Sequence, residues 1–232
     1  LVAFRTRGVA LTRLGRSEEA VRTYEGLIAA ASSPLERAEF QLMLMELYYD
    51  LGRLDDTKVV ARQLIGGTFE EDAAAEFAIR DRAYFVLVSV LLEQDRYGDA
   101  YQASQAALRR FPASANRATL MLVSARALFF NEEYEKAAAA FDGYASAYPA
   151  TSETPQAVYQ KGYAHEILGE YERAAAAFGD VATRFPQHGL VAEALYRAGE
   201  NLYNASHFEE ALVEYLRTVD DHAGAEPAPK AL

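Results

Sequence analysis

The chain has 232 residues, 51% of them hydrophobic, with 34 acidic against 23 basic side chains and a formal net charge of −11. It has no cysteine, which excludes disulfides and thiolate metal sites. No apolar run approaches the roughly 20 residues that a membrane-spanning helix needs, so direct membrane insertion is not expected.

From the first residues onward one pattern recurs. A usually small anchor residue, typically with an aromatic three positions before it and another four after, stands at Ala20 (Ser17, Tyr24), Thr57 (Leu54, Ala61), Ala100 (Tyr97, Ser104), Ala137 (Tyr134, Phe141), Ala174 (Tyr171, Phe178) and Ala211 (Phe208, Tyr215). Successive anchors are 37, 43, 37, 37 and 37 residues apart, and twelve residues before each stand Gly8, Met45, Val88, Ala125, Gly162 and Gly199. Two columns held in phase along the whole chain mark a six-fold repeat. The repeats span approximately 1–36, 38–72, 81–115, 118–152, 155–189 and 192–226. The six-residue excess between the second and third contains Gly66–Gly67.

Each repeat reads as two helices. In the fifth, AVYQKGYAHEIL is apolar at helical spacing and closes at Gly169, a residue type suited to a helix C-terminus. ERAAAAFGDVATRF follows and stops at Pro186, which cannot continue a helix without a clash. "FP" at 111–112 and "YP" at 148–149 end the neighbouring repeats in the same way. The nearly identical YEKAAAAF at Tyr134–Phe141 and YERAAAAF at Tyr171–Phe178 place alanine where paired helices come closest, because a large side chain there would force them apart. Residues 227–232 read as the start of a seventh repeat, and the chain as a segment of a longer protein.

Within each repeat the order small–Gly–aromatic–Ala–aromatic–Pro resembles the tetratricopeptide repeat. Gly8, Gly15, Ala20 and Tyr24 fall on that pattern in the first repeat, and Gly162, Gly169, Ala174, Phe178 and Pro186 in the fifth. Met45, Thr57 and Val88 depart from it in the second and third. The usual step is about 34 residues. The 37-residue step with its "YP" and "FP" turns is similar to the repeats of bacterial cell-envelope proteins, such as the outer-membrane assembly lipoprotein and the Tol–Pal coordinator. This likeness implies a bacterial periplasmic or cell-envelope location. The resemblance as a whole implies an all-α, right-handed superhelical solenoid of about six antiparallel helix pairs. It also implies that positions 2, 5, 9, 12 and 13 of each repeat face a concave groove.

Those positions are basic in the first repeat (Arg5, Arg13), acidic in the second (Glu39, Glu46, Asp50) and rich in aromatics in the last three. The candidate partner-binding set is Tyr49, Phe85, Arg126, Phe129, Phe130, Tyr159, Tyr163, Tyr196, Glu200 and Tyr203. Tyrosine combines large area, few rotors and a polar tip. An aromatic, acidic groove suits a protein or peptide partner with apolar anchors and some basic charge. The carboxylate-clamp subclass of the family needs Asn and basic residues where this chain has Val9, Met43 and Val86, so that subclass is not expected. Nucleic acid is not expected either. Phosphate neutralisation needs a basic stripe, which Arg109–Arg110 and the scattered Arg5, Arg7, Arg13 and Arg16 do not form.

No catalytic residue, metal or cofactor is expected. HEILG at His165–Gly169 begins like a zinc-protease helix but has Gly169 where the second His must stand. His165 fits instead as a filler between helices. His188, His207 and His222 lie near turns without a fixed partner, and "NAS" at Asn204–Ser206 ends a helix. The resulting expectation is a non-enzymatic interaction scaffold. The alternatives are a regulatory or substrate-presenting arm of a larger enzyme and a structural stack that self-associates end to end.

Overall fold

The computed structural model describes residues 2–68 and 72–221, with side chains of 2–5, 220 and 221 excepted. The described residues form twelve α-helices and no strand: α1 (Val2–Arg13), α2 (Ser17–Ala30), α3 (Pro34–Asp50), α4 (Leu54–Gly66), α5 (Ala73–Glu93), α6 (Tyr97–Arg110), α7 (Arg117–Phe130), α8 (Tyr134–Ala147), α9 (Thr154–Ile167), α10 (Tyr171–Arg184), α11 (Val191–Asn204) and α12 (Phe208–Asp221). They pair in order into six hairpins, one per repeat. The chain divides into two compact halves at Leu120–Met121.

Every hairpin turns at repeat position 15. Gly15, Gly52 and Gly169 have φ near +70° there, and Asp95, Glu132 and Ser206 take the same left-handed backbone with φ of 54°, 62° and 66°. Two hydrogen bonds close each turn. In the fifth hairpin Gly169 N–H donates to Glu166 C=O and Glu170 N–H to His165 C=O, both at 3.0 Å, which satisfies carbonyls at the end of α9. Glycine adopts this conformation without strain, whereas the other three residues work against a penalty of about 1–2 kcal/mol.

The two repeat columns meet inside each hairpin. A Cβ added at Gly162 would lie 2.8 Å from the Phe178 ring, one at Gly8 2.8 Å from Tyr24, and one at Gly199 2.6 Å from Tyr215. Position 8 is therefore small because the aromatic at position 24 lies across it. The second and third hairpins carry the exchange of volumes: Met45 and Val88 at position 8 are accompanied by Ala61 and Ser104 at position 24, all four buried. The departures from the small-residue pattern in those repeats thus conserve total core volume, which packed interiors tolerate well.

In the C-terminal half, Val158, Tyr159, Ala174, Phe178, Val181, Ala194 and Ala198 form one buried cluster, with Tyr163, Phe185 and Leu190 packed against it. Ala182, Val191 and Leu195 continue the core between α10 and α11. Ala174 and Phe178 are fully buried, Ala175 is 6% exposed and Ala176 is exposed. The alanine run thus presents successive faces to different neighbours.

The excess between the second and third repeats does not form a longer loop. It lengthens α5, which starts at Ala73, eight residues before repeat position 1 at Asp81. Asp72 caps this extension, its carboxylate accepting from the N–H groups of Ala74 (2.8 Å) and Ala75 (3.1 Å). The alanines that follow favour helix. Phe77, on the added turns, packs edge-on to Phe111 at 5.1 Å. The start of α3 likewise precedes the expected boundary at 38. Pro34 opens the helix, Ser33 Oγ accepts from Glu36 N–H, and Glu36 accepts from Ser32 N–H at 2.7 Å. Residues 227–232, expected to begin a further repeat, lie outside the described residues.

Candidate functional site

The sequence-predicted residues all lie on the first helices of their hairpins. In the N-terminal half, α1 and α3 carry a groove lined by Val9, Thr12, Arg13, Met43, Glu46 and Asp50, with Tyr24 of α2. Arg82 bonds Glu46 at 2.8 Å and lies over the Phe85 ring at 5.6 Å. The Tyr49 hydroxyl donates to Glu93, and that hydrogen bond raises the phenol pKa above its ordinary value. Tyr49 and Phe85 are half-buried.

In the C-terminal half the corresponding helices are α7, α9 and α11, and the predicted side chains lie at different depths. At position 5 Leu122 is 4% and Tyr159 7% exposed. Tyr159 was predicted as a groove residue, and the structure corrects this. Its ring packs edge-on to Tyr163 (5.2 Å) and Phe178 (5.1 Å), within the core between hairpins, and burial raises its pKa. Only its hydroxyl reaches outward, 3.4 Å from Glu193 Oε1. Phe129 is half-buried and also packs inward, against Tyr134 at 5.3 Å and Phe141 at 6.5 Å. Arg126 Nε reaches Gln160 Oε1 at 3.4 Å.

Exposure rises toward the ends of these helices. Phe130 is 53% exposed, Ile167 50% and Tyr203 58%. Phe130 and Ile167 hold position 13 of successive repeats, and Tyr203 holds position 12 of the next. Tyr203 is backed by Phe208 at 5.2 Å. Three large apolar side chains thus recur at the same level of α7, α9 and α11.

Beside them lies a charged cluster centred on Arg197, which the sequence reading passed over. Its guanidinium sits 4.9 Å from the Tyr163 ring centroid. It contacts Glu193 at 3.2 Å, Glu166 at 3.3 Å and Glu200 at 3.8 Å. Each carboxylate has a further partner: the buried Asn201 amide donates to Glu166 at 2.9 Å, Tyr159 reaches Glu193, and Tyr196 O–H donates to Glu200 at 2.9 Å. Burial and the Glu200 carboxylate push the Tyr196 phenol up to about 12. Three carboxylates around one guanidinium leave two negative charges uncompensated on a partly buried surface. Tyr163, Tyr196 and Glu200, expected from the sequence as groove candidates, stand around this cluster. Arg197 was not expected among them, because it holds position 6, between the positions expected to face the groove.

On the opposite side, His165 Nδ1 lies 2.7 Å from Glu170. This contact ties α9 to its turn and holds the Glu170 carboxyl below the usual range. Among the described residues no three His, Asp or Glu side chains are grouped to hold a metal ion, and no helix is long and apolar enough to cross a membrane.

The sequence matches the tetratricopeptide repeat family over residues 5–56 and 122–189, just over half of the chain. No curated protein matches it significantly. Among solved structures, MamA of AMB-1 superposes with a TM-score of 0.59 at 15% identity, covering 84% of this chain and 97% of that one. YrrB, described as a TPR protein with an unusual peptide-binding site, gives 0.58 at 18% identity, with 84% and 91% covered. BtubC from P. vanneervenii gives 0.62 at 15% identity, with 94% of each chain covered. At such identities the likeness is one of fold.

Proposed function

The chain belongs to the tetratricopeptide repeat family, and from that premise we propose that it is a non-enzymatic interaction scaffold. In this reading the face formed by α7, α9 and α11 takes an extended or helical segment of a partner protein. One observation carries it: Phe130, Ile167 and Tyr203 stand about half exposed at matching levels of three successive helices, beside a cluster with two uncompensated carboxylates. A row of apolar side chains offers anchor points, and a few such anchors dominate most interfaces. The excess negative charge selects for Lys or Arg between the partner's apolar residues and speeds encounter. The peptide-binding site of YrrB, on the same fold, supports the reading by analogy.

Selection from random phage-displayed peptides tests it. Enriched sequences are expected to combine aromatic or aliphatic anchors with basic residues, and their binding should weaken as salt rises. Phe130→Ala with Tyr203→Ala should lower affinity at least tenfold with little change in melting temperature. Glu193→Gln with Glu200→Gln should flatten the salt dependence. Enrichment of acidic peptides, or undiminished capture by Phe130→Ala/Tyr203→Ala, refutes the proposal. The 37-residue step and its "YP" and "FP" turns further support residence in a bacterial cell envelope. Recovery of the native protein in the cytosolic fraction of source cells would overturn that part.

A further inference from the structure

We infer that the Arg197 cluster is a subsite for one primary ammonium group, the side chain of a partner's lysine, and that it takes lysine in preference to arginine. The inference rests on the inner-face reading for the partner's position and narrows the basic charge expected there to one residue type. Asn201 carries it. This residue is 1% exposed and holds position 10 of its repeat, where the second to fifth repeats have Leu47, Val90, Ala127 and Ala164, all buried. The sixth repeat is the one that sets an amide into this apolar column.

Two acceptors fix the orientation of that amide. Nδ2 donates to Glu166 Oε2 and to the Arg197 C=O, both at 2.9 Å, so exchanging nitrogen and oxygen would set Oδ1 against two other oxygens. Oδ1 is thus a buried acceptor beside the Glu166 carboxylate, and no donor among the described residues reaches it. Leaving such an acceptor unpaired is costly, and a ligand that brings N–H groups removes the cost. The surroundings call for a cation. Glu166, Glu193 and Glu200 exceed Arg197 by two negative charges, and their side chains stay 26–38% exposed. They are not grouped to hold a metal ion, so the cation is an organic one.

Geometry chooses between the two basic side chains. Arg197 already fills the flat place, its guanidinium 4.9 Å from the Tyr163 ring centroid. Both Glu166 oxygens are engaged, by Arg197 and Asn201, and both Glu200 oxygens, by Tyr196 and Arg197. Neither carboxylate has a free edge for the bidentate contact that a second guanidinium favours, but each oxygen keeps a lone pair for a single N–H. An ammonium is a compact charge with three donors on a four-carbon stem. Glu166 and Glu200 approach the same nitrogen, Arg197 Nη1, and one ammonium there can bond both and direct its third donor to Asn201 Oδ1. Because Oδ1 is covered, the Glu166 carboxylate turns with the incoming group.

Nuclear magnetic resonance of the nitrogen-15-labelled chain tests this with capped amino acids, which need no knowledge of the partner. Nα-acetyl-lysine methylamide should shift the Asn201 side-chain amide and Arg197 Nε–H signals saturably. The arginine analogue should bind about threefold or more weakly, and the norleucine analogue should cause no shift. Asn201→Leu and Asn201→Ala, the residues of the second and fifth repeats, should fold and bind both cations through the carboxylates alone, without preference. A merely structural Asn201 would change the melting temperature of these variants and leave the lysine preference intact, which overturns the inference. So does equal affinity of the wild type for the two cations, or no saturable shift with the lysine analogue. The inner-face reading fails separately. Phage-selected peptides that depend on Phe130 and Tyr203 but tolerate Lys→Arg exchange refute the subsite and leave the face. Saturable, lysine-selective binding with no peptide selected at that face supports the subsite and refutes the face.

Discussion

Helices α10 and α12 occupy matching places in consecutive hairpins, with Tyr171, Ala174 and Phe178 in one corresponding to Phe208, Ala211 and Tyr215 in the other. Facing the partner helix of the hairpin they agree: Ala174 and Ala211 are 0% and 1% exposed, and Phe178 and Tyr215 each lie over a glycine, Gly162 and Gly199. Facing away they differ, with Ala175, Ala176 and Gly179 in α10 against Leu212, Val213 and Leu216 in α12. The contrast separates two functions within the alanine run. One alanine permits close approach inside the hairpin and is kept in both helices. A second, Ala175, is 6% exposed on the opposite flank of α10, where Leu212 of α12 is 58% exposed.

The largest expected effect tests the shared part of the frame. Phe178→Ala should cost about 3–5 kcal/mol in denaturant unfolding, since it empties a fully buried position. Adding Gly162→Met rebuilds the Met45/Ala61 arrangement of the second hairpin and should recover part of the loss. If the double variant is less stable than Phe178→Ala alone, the two positions do not share one volume. Tyr159→Ala belongs in the same energy range because that ring is core. It is unsuitable as a binding probe for that reason, and Phe130 and Tyr203 serve instead.

The alanines come next. Ala174→Leu should overpack the intra-hairpin contact at a cost of about 1–3 kcal/mol, whereas Ala176→Leu, on the exposed side, should stay within about 0.5 kcal/mol. Equal melting temperatures for the two variants would remove the distinction drawn between α10's faces. At the turns, Gly169→Ala should lose about 1 kcal/mol by forcing a Cβ into left-handed backbone. Glu132→Gly, at the same place one hairpin earlier, should gain a fraction of that. A loss on Glu132→Gly would mean its side chain contributes more than its backbone strain costs.

The smallest effect is alkaline. Hairpin six holds Tyr196 and Tyr215 where hairpin five holds Tyr159 and Phe178. The Tyr196 phenol titrates at about 12 in the folded chain against an ordinary 10.0, and burial raises Tyr215 too. Between those values the unfolded chain gives up its protons first. Stability is therefore fully present below about pH 10 and is lost as pH rises toward 12. Tyr196→Phe should show a shallower fall of melting temperature across that window. An unchanged slope would assign the effect to other tyrosines.

Much of the architecture was legible because each repeat must solve the same packing problem. Gly169 in its turn, Ala174 in its contact and Pro186 after its helix follow from backbone sterics that operate within a few residues. The 43-residue step announced extra length but not its form: six more residues suit a loop or a longer helix equally until Asp72 is seen to cap one. The candidate site was legible only in part. Tyr163, Tyr196 and Glu200, expected from repeat position, stand around Arg197, whereas Arg197 is tied to Glu166, 31 residues away on another helix, a pairing that no local spacing announces.

By itself the sequence determined the repeat, the hairpin, the left-handed turn and the pairing of a small residue with a large one, since these depend on contacts within about 20 residues along one chain segment. Only the tertiary structure decided which aromatics face out. Tyr159 and Tyr163 are one helical turn apart on α9, and Tyr159 is buried while Tyr163 flanks the Arg197 cluster. A first helix in such an array packs on its own partner and on its neighbours, leaving a narrow remaining face. The edge of that face is set by where the neighbouring hairpin's side chains end, and helical periodicity cannot locate it.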